Sequence, residues 1–228
     1  MTTSQKNALI VGASRGLGLG LVETFLKRGW RVTATQRKAS PDLAKLATEA
    51  LTIETADIDD DGAVAALHDR LKTRKYDLVF VVAGVATQAH DPLHEVPRDV
   101  AAQVYLTNAV SPIRFAELFA DTVAPGGTIA FMSSILGSVG LNESGGWDNY
   151  RASKAALNTN ARSFEVRHRE RPFGILLVHP GWVRTDMGGA EADIDVATSV
   201  TGMADVIERR LGERGAAYLD YTGKTLAW

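Results

Sequence analysis

Short, continuous apolar runs alternate with segments of helical spacing along the whole chain, and few folds accept that pattern. The runs are 8–11, 31–36, 51–56, 77–82, 128–133, 174–179 and 216–220. They are rich in Val, Ile, Leu and Thr and are too short for buried helices. Between them, helices are predicted near 17–28, 41–49, 60–73, 98–123, 149–171 and 196–211. Strands that are apolar throughout must be covered on both faces, and strands separated by helices pair in parallel through crossovers. Right-handed crossovers then give an α/β fold, a doubly wound parallel sheet of seven strands with helices on both faces. A chain of 228 residues suffices for one such core and is short for two, so 1–228 is read as a single domain. The loosest stretches, 86–97 and 137–147, read as loops within it. In such sheets ligands sit at the carboxyl ends of the strands.

Composition narrows the function. Lys and Arg number 25 against 27 Asp and Glu, a net charge of −2. No basic excess exists to hold nucleic acid or an anionic membrane. Cysteine is absent, which removes disulfides, thiolate ligands and a cysteine nucleophile. No apolar run reaches bilayer-spanning length, and the polar residues 1–7 lack the apolar stretch of a secretory signal. A soluble, cytoplasmic protein acting on a small molecule is expected. His90 and His94 are four apart beside Asp91 and Glu95, but Pro92 intervenes and no third ligand follows, so no metal is expected. No G-x-S-x-G elbow supports a hydrolase.

The first strand ends in Gly12-Ala13-Ser14-Arg15-Gly16-Leu17-Gly18, and a helix follows. Glycines there let the backbone approach a pyrophosphate, and the helix N-terminus supplies free N–H groups and a positive dipole end. The same turn without a ligand is a tight strand-to-helix connection; its place at the start of the fold favours the ligand. The second strand ends Gln36-Arg37-Lys38, with no carboxylate to accept from a ribose 2′-hydroxyl. Arg37, with Arg15 from the other side, suits a 2′-phosphate, which selects NADP over NAD. Asp57, after the third strand, suits an adenine amino group or a helix N-cap.

Tyr150 and Lys154 are four apart in a predicted helix and share one face. An ammonium beside a phenol lowers its pKa and makes Tyr150 a proton donor near neutral pH. The pair alone is weak evidence, with an exposed helix pair as the alternative. Other strand ends add to it. The fifth strand runs into Ser133-Ser134-Ile135-Leu136-Gly137, and the sixth into His179-Pro180-Gly181-Trp182-Val183-Arg184-Thr185.

This ordered set, spread over nearly the whole chain, resembles the short-chain dehydrogenase/reductase family, whose fold is a Rossmann sheet. The segment HPGWVRTDMG from His179 and the tail from Tyr218 to Lys224, then Trp228, look like the C-factor and sniffer-type carbonyl reductase branch. The resemblance implies Ser134, Tyr150, Lys154 and Asn108 as catalytic residues. It implies a cofactor site made of Gly12, Ser14, Arg15, Gly16, Leu17, Gly18, Arg37, Asp57, Ile58, Ala83, Gly84, Tyr150, Lys154, Pro180, Gly181, Val183 and Thr185. Asn108 has a physical argument as well: Pro112, four residues on, cannot bond its carbonyl, which is freed to hold a water near Lys154. Two departures stand out. Val11 replaces a common Thr, and Val81-Val82-Ala83-Gly84 replaces Asn-Asn-Ala-Gly.

The expected function is hydride transfer between NADP(H) and a carbonyl or alcohol, with Tyr150 as acid. An NADP-binding signalling or sensor protein with incidental turnover is the alternative. Association into a homodimer or homotetramer is expected through the helices near 98–123 and 149–171, whose Val104, Phe115, Leu118 and Phe119 exceed what one sheet face can cover. The substrate pocket is expected to be walled by Leu136, Leu141, Trp147, Trp182 and Met187, favouring bulky apolar ketones. The segment 186–195, rich in Gly and Ala, reads as a short mobile lid.

Overall fold

A computed structural model describes residues 5–228. The strands are β1 (Asn7–Val11), β2 (Arg31–Gln36), β3 (Leu51–Thr55), β4 (Tyr76–Val81), β5 (Val123–Met132), β6 (Phe173–His179) and β7 (Gly215–Asp220). The helices are α1 (Gly16–Lys27), α2 (Pro41–Lys45), α3 (Asp61–Leu71), α4 (Arg98–Tyr105), α5 (Ser111–Phe119), α6 (Asp148–Arg167) and α7 (Val196–Arg210). All seven strands pair in parallel in the order β3-β2-β1-β4-β5-β6-β7. The order reverses between β1 and β4, which opens a crevice at their carboxyl ends.

Strand side chains alternate between two apolar layers. Leu9, Val79, Ile129, Ile175 and Tyr218 face the layer of α3, α5 and α6. Ala8, Ile10, Leu78, Leu176 and Leu219 face the layer of α1, α2 and α7. Where the resemblance leads one to expect two asparagines, Val81 and Val82 stand, and β1 and β4 meet there through their backbones. The N–H groups of Val82 and Ala83 both bond the Val11 carbonyl, at 2.9 and 3.0 Å. Gly12 lies so close that a Cβ there would stand 2.8 Å from the Ala83 backbone, and its φ of +91° is a left-handed conformation.

The segment expected as one helix over 98–123 is broken. α4 ends at Tyr105, a π turn occupies Leu106–Val110, and α5 follows. Pro112 has no N–H for the Asn108 carbonyl, and the chain widens there: Ser111 N–H bonds the Leu106 carbonyl, five residues back. Asp59 clamps the widened turn. Its Oδ2 accepts from Thr107 Oγ1 at 2.5 Å and Gln103 Nε2 at 3.0 Å, and its Oδ1 from Ser111 Oγ at 2.6 Å. β5 begins at Val123, earlier than expected, because a register shift between Tyr76 and Leu78 absorbs the intervening Pro and Gly residues.

The apolar residues offered for association stand differently. Phe115 and Phe119 are buried in this chain's own core against the sheet, and Val104 is buried on α4, which packs against α6. Of the four only Leu118 is exposed. Among the described residues no helix is long and apolar enough to cross a membrane.

Asp59→Ala leaves the hydroxyls of Thr107 and Ser111 without their acceptor. We expect a loss of about 2 kcal/mol of stability in urea unfolding, and a smaller loss for Asp59→Asn, which keeps an acceptor.

Candidate functional site

A cleft of about 1060 Å³ runs along the carboxyl ends of the strands, from Arg37 at one end to Tyr150 and Asp220 at the other. At the first end the glycine turn delivers the N-terminus of α1. Arg15 at its cap makes no side-chain capping bond, and the first turn holds no acidic residue. Where Gly16 (φ +54°) would carry a Cβ, only the Thr185 methyl comes within 4 Å, at 3.8 Å. Uncapped N–H groups facing open space suit an anionic group. Ser14, Leu17, Gly18, Ile58, Ala83 and Gly84 line the same stretch.

Both arginines reach the cleft, and each has found a carboxylate. Arg37 Nη1 lies 3.8 Å from Asp57 Oδ2, and Arg15 Nη1 bonds Asp186 Oδ2 at 2.7 Å across the mouth. Such exposed pairs are weak and open to competition by a phosphate dianion. Asp57 Oδ1 accepts the Asp59 N–H at 3.1 Å, the cap-like geometry of one of its two sequence readings.

At the other end α6 packs across the tip of β5. Lys154 Nζ donates to the Met132 carbonyl at 2.8 Å, and stands 5.7 Å from the centre of the Tyr150 ring. Ser134 Oγ accepts the Leu136 N–H at 3.2 Å, capping the short turn that follows β5. Ser134, Tyr150 and Lys154 all line the cleft. Asn108 lies behind its wall, fully buried. Its Oδ1 accepts the Val85 N–H at 2.8 Å, and its Nδ2 donates to the Val85 carbonyl at 2.8 Å and to Ser153 Oγ at 3.0 Å. A Cβ on Gly84 would stand 3.2 Å from Asn108 Oδ1 and 3.4 Å from Lys154 Nζ, so the three residues converge.

Burial sets the charges here. It pushes the Tyr150 phenol up to about 12, against a hydrogen bond with Ser134 that works the other way. Burial also pushes the Lys154 ammonium down, to about 8. Burial therefore outweighs the lowering that the neighbouring ammonium was expected to give. The same dry surroundings that bring the two groups together penalise the charged form of each. Tyr150 is held as a neutral phenol, which is the form that donates a proton.

Four of the five expected walls, Leu136, Trp147, Trp182 and Met187, line the cleft. Leu141 does not. It is exposed in the outer part of its loop, where its N–H bonds Ser138 Oγ at 3.3 Å. Trp147 sits edge-on to Tyr150 with ring centres 5.8 Å apart and against His90 at 4.2 Å. Its φ of +57° follows two left-handed glycines, Gly145 and Gly146. Arg151 holds this run. Nε donates to the Gly146 carbonyl at 2.8 Å, and Nη2 to Ser144 Oγ at 3.0 Å and the Gly145 carbonyl at 3.2 Å.

The segment 186–195 is pinned rather than a loose lid. Trp182 Nε1 donates to the Gly188 carbonyl at 2.8 Å, Arg184 Nη1 to the Ala192 carbonyl at 2.8 Å, and Ile194 N–H to the Trp182 carbonyl at 3.1 Å. Thr185 Oγ1 receives the Gly188 N–H at 3.1 Å and faces the cleft with Pro180, Gly181 and Val183. The sequence reading missed His90, His179 and Asp220 as lining residues and Arg151 as a brace. His179 was in view only within the HPG string, whose place at the end of β6 was the available signal.

Residues 6–194 match the short chain dehydrogenase family, and the chain belongs to that family. A Burkholderia multivorans structure, described as a short-chain dehydrogenase/reductase with bound NADP, superposes with a TM-score of 0.96 at 43% identity over 98% of this chain and 100% of that one. The carbonyl reductase Sniffer of D. melanogaster gives 0.85 at 30% identity over 98% of this chain and 100% of its own. The C-signal protein of Myxococcus xanthus is 37% identical over 129 residues, 56% of this chain and 78% of its own length. The branch resemblance read from HPGWVRTDMG and the tail is thus met by relatives of both kinds.

Lys154 gives a pH test. Burial holds its pKa at about 8 in the folded chain, below the ordinary lysine value near 10.5 that the unfolded chain approaches. Between those values the unfolded chain holds a proton that the folded one has released, so this group's contribution to stability rises with pH across that window. We expect the stability of wild type relative to Lys154→Met to rise between pH 7.5 and pH 10.5, in urea unfolding at both values.

Proposed function

We propose that the chain reduces ketones or aldehydes with NADPH. What carries the reading is one cleft with two ends. One end offers an uncapped helix N-terminus and two guanidinium groups. The other offers a neutral buried phenol beside a buried amine and a serine hydroxyl. The N–H groups of the 12–18 turn would hold the pyrophosphate, and Arg15 and Arg37 the 2′-phosphate. Asp57 and Ile58 would flank the adenine and Ala83 and Gly84 the adjoining ribose. Pro180, Gly181, Val183 and Thr185 would hold the nicotinamide. Bound there, NADPH supplies the hydride to the carbonyl carbon.

The protein's own residues do the rest. Tyr150 Oη gives its proton to the carbonyl oxygen as negative charge develops there. Ser134 Oγ hydrogen-bonds the same oxygen and fixes its direction. Lys154, anchored through Met132, keeps further N–H groups for a ribose hydroxyl, and its charge near the phenol favours the phenolate left behind. Trp147, Leu136, Trp182 and Met187 give the carbonyl compound an apolar wall, which favours bulky or aryl ketones. The likeness to C-signal supports a second reading, NADPH binding with incidental turnover; tight NADPH binding with no ketone or aldehyde reduced would favour it.

Two variants test the assignment. Tyr150→Phe keeps the ring and loses the proton; NADPH should bind as before in a fluorescence titration while turnover falls by about 10² or more. Wild-type protein should bind NADPH at least about tenfold more tightly than NADH, and Arg37→Asp should narrow or reverse that ratio. Equal dissociation constants for the two cofactors in the wild type would overturn the NADP assignment.

A further inference from the structure

Three polar residues stand side by side where β5, β6 and β7 end: Ser133, His179 and Asp220. Ser133 N–H bonds the Val178 carbonyl at 2.9 Å, and His179 is in register with Asp220. His179 continues the face of Ile175 and Leu177, and Asp220 that of Tyr218, which is the layer beneath α6. Ser133 shares that face, because its Oγ donates to Asn158 of α6 at 2.6 Å. The row therefore lies on Tyr150's side of the sheet, and all three residues line the same cleft as Tyr150 and Ser134.

The outer two members are already engaged. Ser133 gives its proton to Asn158. Asp220 Oδ1 accepts from Thr222 N–H at 2.9 Å, Thr222 Oγ1 at 2.7 Å and Lys224 N–H at 3.0 Å. The imidazole between them is different. His179 Nδ1 is buried and has no hydrogen-bond partner. Nε2 makes no protein hydrogen bond either and is not among the fully buried atoms, so it is the nitrogen that meets the cleft. The ring is therefore uncommitted within the protein: Nδ1 is shut away from any ligand, and Nε2 is left free to hydrogen-bond whatever enters the cleft.

We propose that His179 Nε2 recognises a second oxygen on the carbonyl substrate, and that this oxygen is neutral: a hydroxyl or a second carbonyl, as in a hydroxyketone or diketone. The inference rests on the carbonyl-reductase reading and names its substrate class. A neutral imidazole accepts from a hydroxyl or donates to a carbonyl, according to its tautomer. Burial pushes the His179 ring down to about 4, against the nearby Asp220, so no imidazolium is available to hold an anion. Burial would raise the Asp220 carboxyl, but hydrogen bonds from Thr222 and Lys224 outweigh it and keep it below the usual range. A carboxylate beside the ring disfavours a second negative charge. The subsite therefore selects against keto acids, while the aromatic wall of Trp147 takes the apolar part of the substrate.

Three aryl ketones of matched shape test this: acetophenone, 2-hydroxyacetophenone and benzoylformate. With NADPH, wild-type protein should favour 2-hydroxyacetophenone over acetophenone by about tenfold in kcat/KM and should disfavour benzoylformate. His179→Phe keeps a ring and removes both nitrogens; it should erase most of that ratio, and His179→Asn, which restores a donor and an acceptor, should recover part of it. A second readout needs no turnover. In Tyr150→Phe protein, 2-hydroxyacetophenone should shift the His179 ring ¹⁵N resonances and acetophenone should not. Hydroxyketone and plain ketone reduced in the same ratio by wild type and His179→Phe, with unmoved ¹⁵N resonances, would overturn the subsite and leave the reductase reading intact. No reduction of any of the three by wild type, with the ¹⁵N shift still present, would overturn the reductase reading and keep the subsite.

Discussion

Much of the site follows from one buried contact, the Lys154 ammonium on the Met132 carbonyl at the tip of β5. An amine taken from water needs acceptors, and the end of a parallel strand provides a carbonyl with no ladder partner beyond it. The contact fixes α6 along its own axis. One turn earlier, Tyr150 is then set beside Ser134, which leaves β5 two residues after Met132. The helix also comes down hard on the turn after β5. A Cβ on Gly137 would stand 2.9 Å from the Lys154 backbone. Asn108 supports the arrangement from behind, through Ser153 on the same helix. The closeness that makes these contacts also dries the site, which is why the phenol and the amine both shift toward their neutral forms.

What the sequence shows and what it hides divides along a physical line. Strand cores, the glycine turn and the Tyr150–Lys154 spacing depend on local pattern, and they are legible. The break at 106–110 is half legible. Pro112 announces a lost hydrogen bond, but the clamp that turns the loss into a π turn comes from Asp59, far away in sequence. Periodicity marks Phe115 and Phe119 as one apolar face without saying what covers it, and the cover is this chain's own sheet. The direction of the Tyr150 shift is hidden for the same reason: spacing reveals a neighbouring ammonium, whereas burial is a property of the whole fold. His179 was visible as a letter in a string, and only the register of β6 with β7 shows what stands beside it.

The loop before α6 shows how strain is held where the substrate wall is built. Gly145, Gly146 and Trp147 are three successive left-handed residues, a conformation that costs a tryptophan about 1 kcal/mol or more. Arg151 sits nearly buried with neutral oxygens as its acceptors, and among the described residues it makes no ion pair. Such a guanidinium is stable only while those carbonyls stay turned toward it. The Arg151 N–H also bonds the Trp147 carbonyl at 2.8 Å, so the first turn of α6 closes on the strained residue. Each side of the contact holds the other. The indole is thereby kept edge-on to Tyr150, one turn from the residue that holds it.

Charge is distributed along the cleft in a way that separates binding from chemistry. Its outer end carries exposed arginines whose carboxylate partners are themselves exposed or partly so, so exchange of those partners for a phosphate costs little. Its inner end carries Tyr150, Lys154 and His179, each pushed by burial toward the neutral form. Strong, directional neutral hydrogen bonds suit a carbonyl, which is uncharged on arrival and gains negative charge only as it reacts. Lys154, at about 8, still carries charge at neutral pH, and that charge favours the phenolate that forms when Tyr150 gives up its proton. The polar row at the strand ends extends the same logic outward from Tyr150, with a neutral imidazole placed where a second uncharged oxygen can be read.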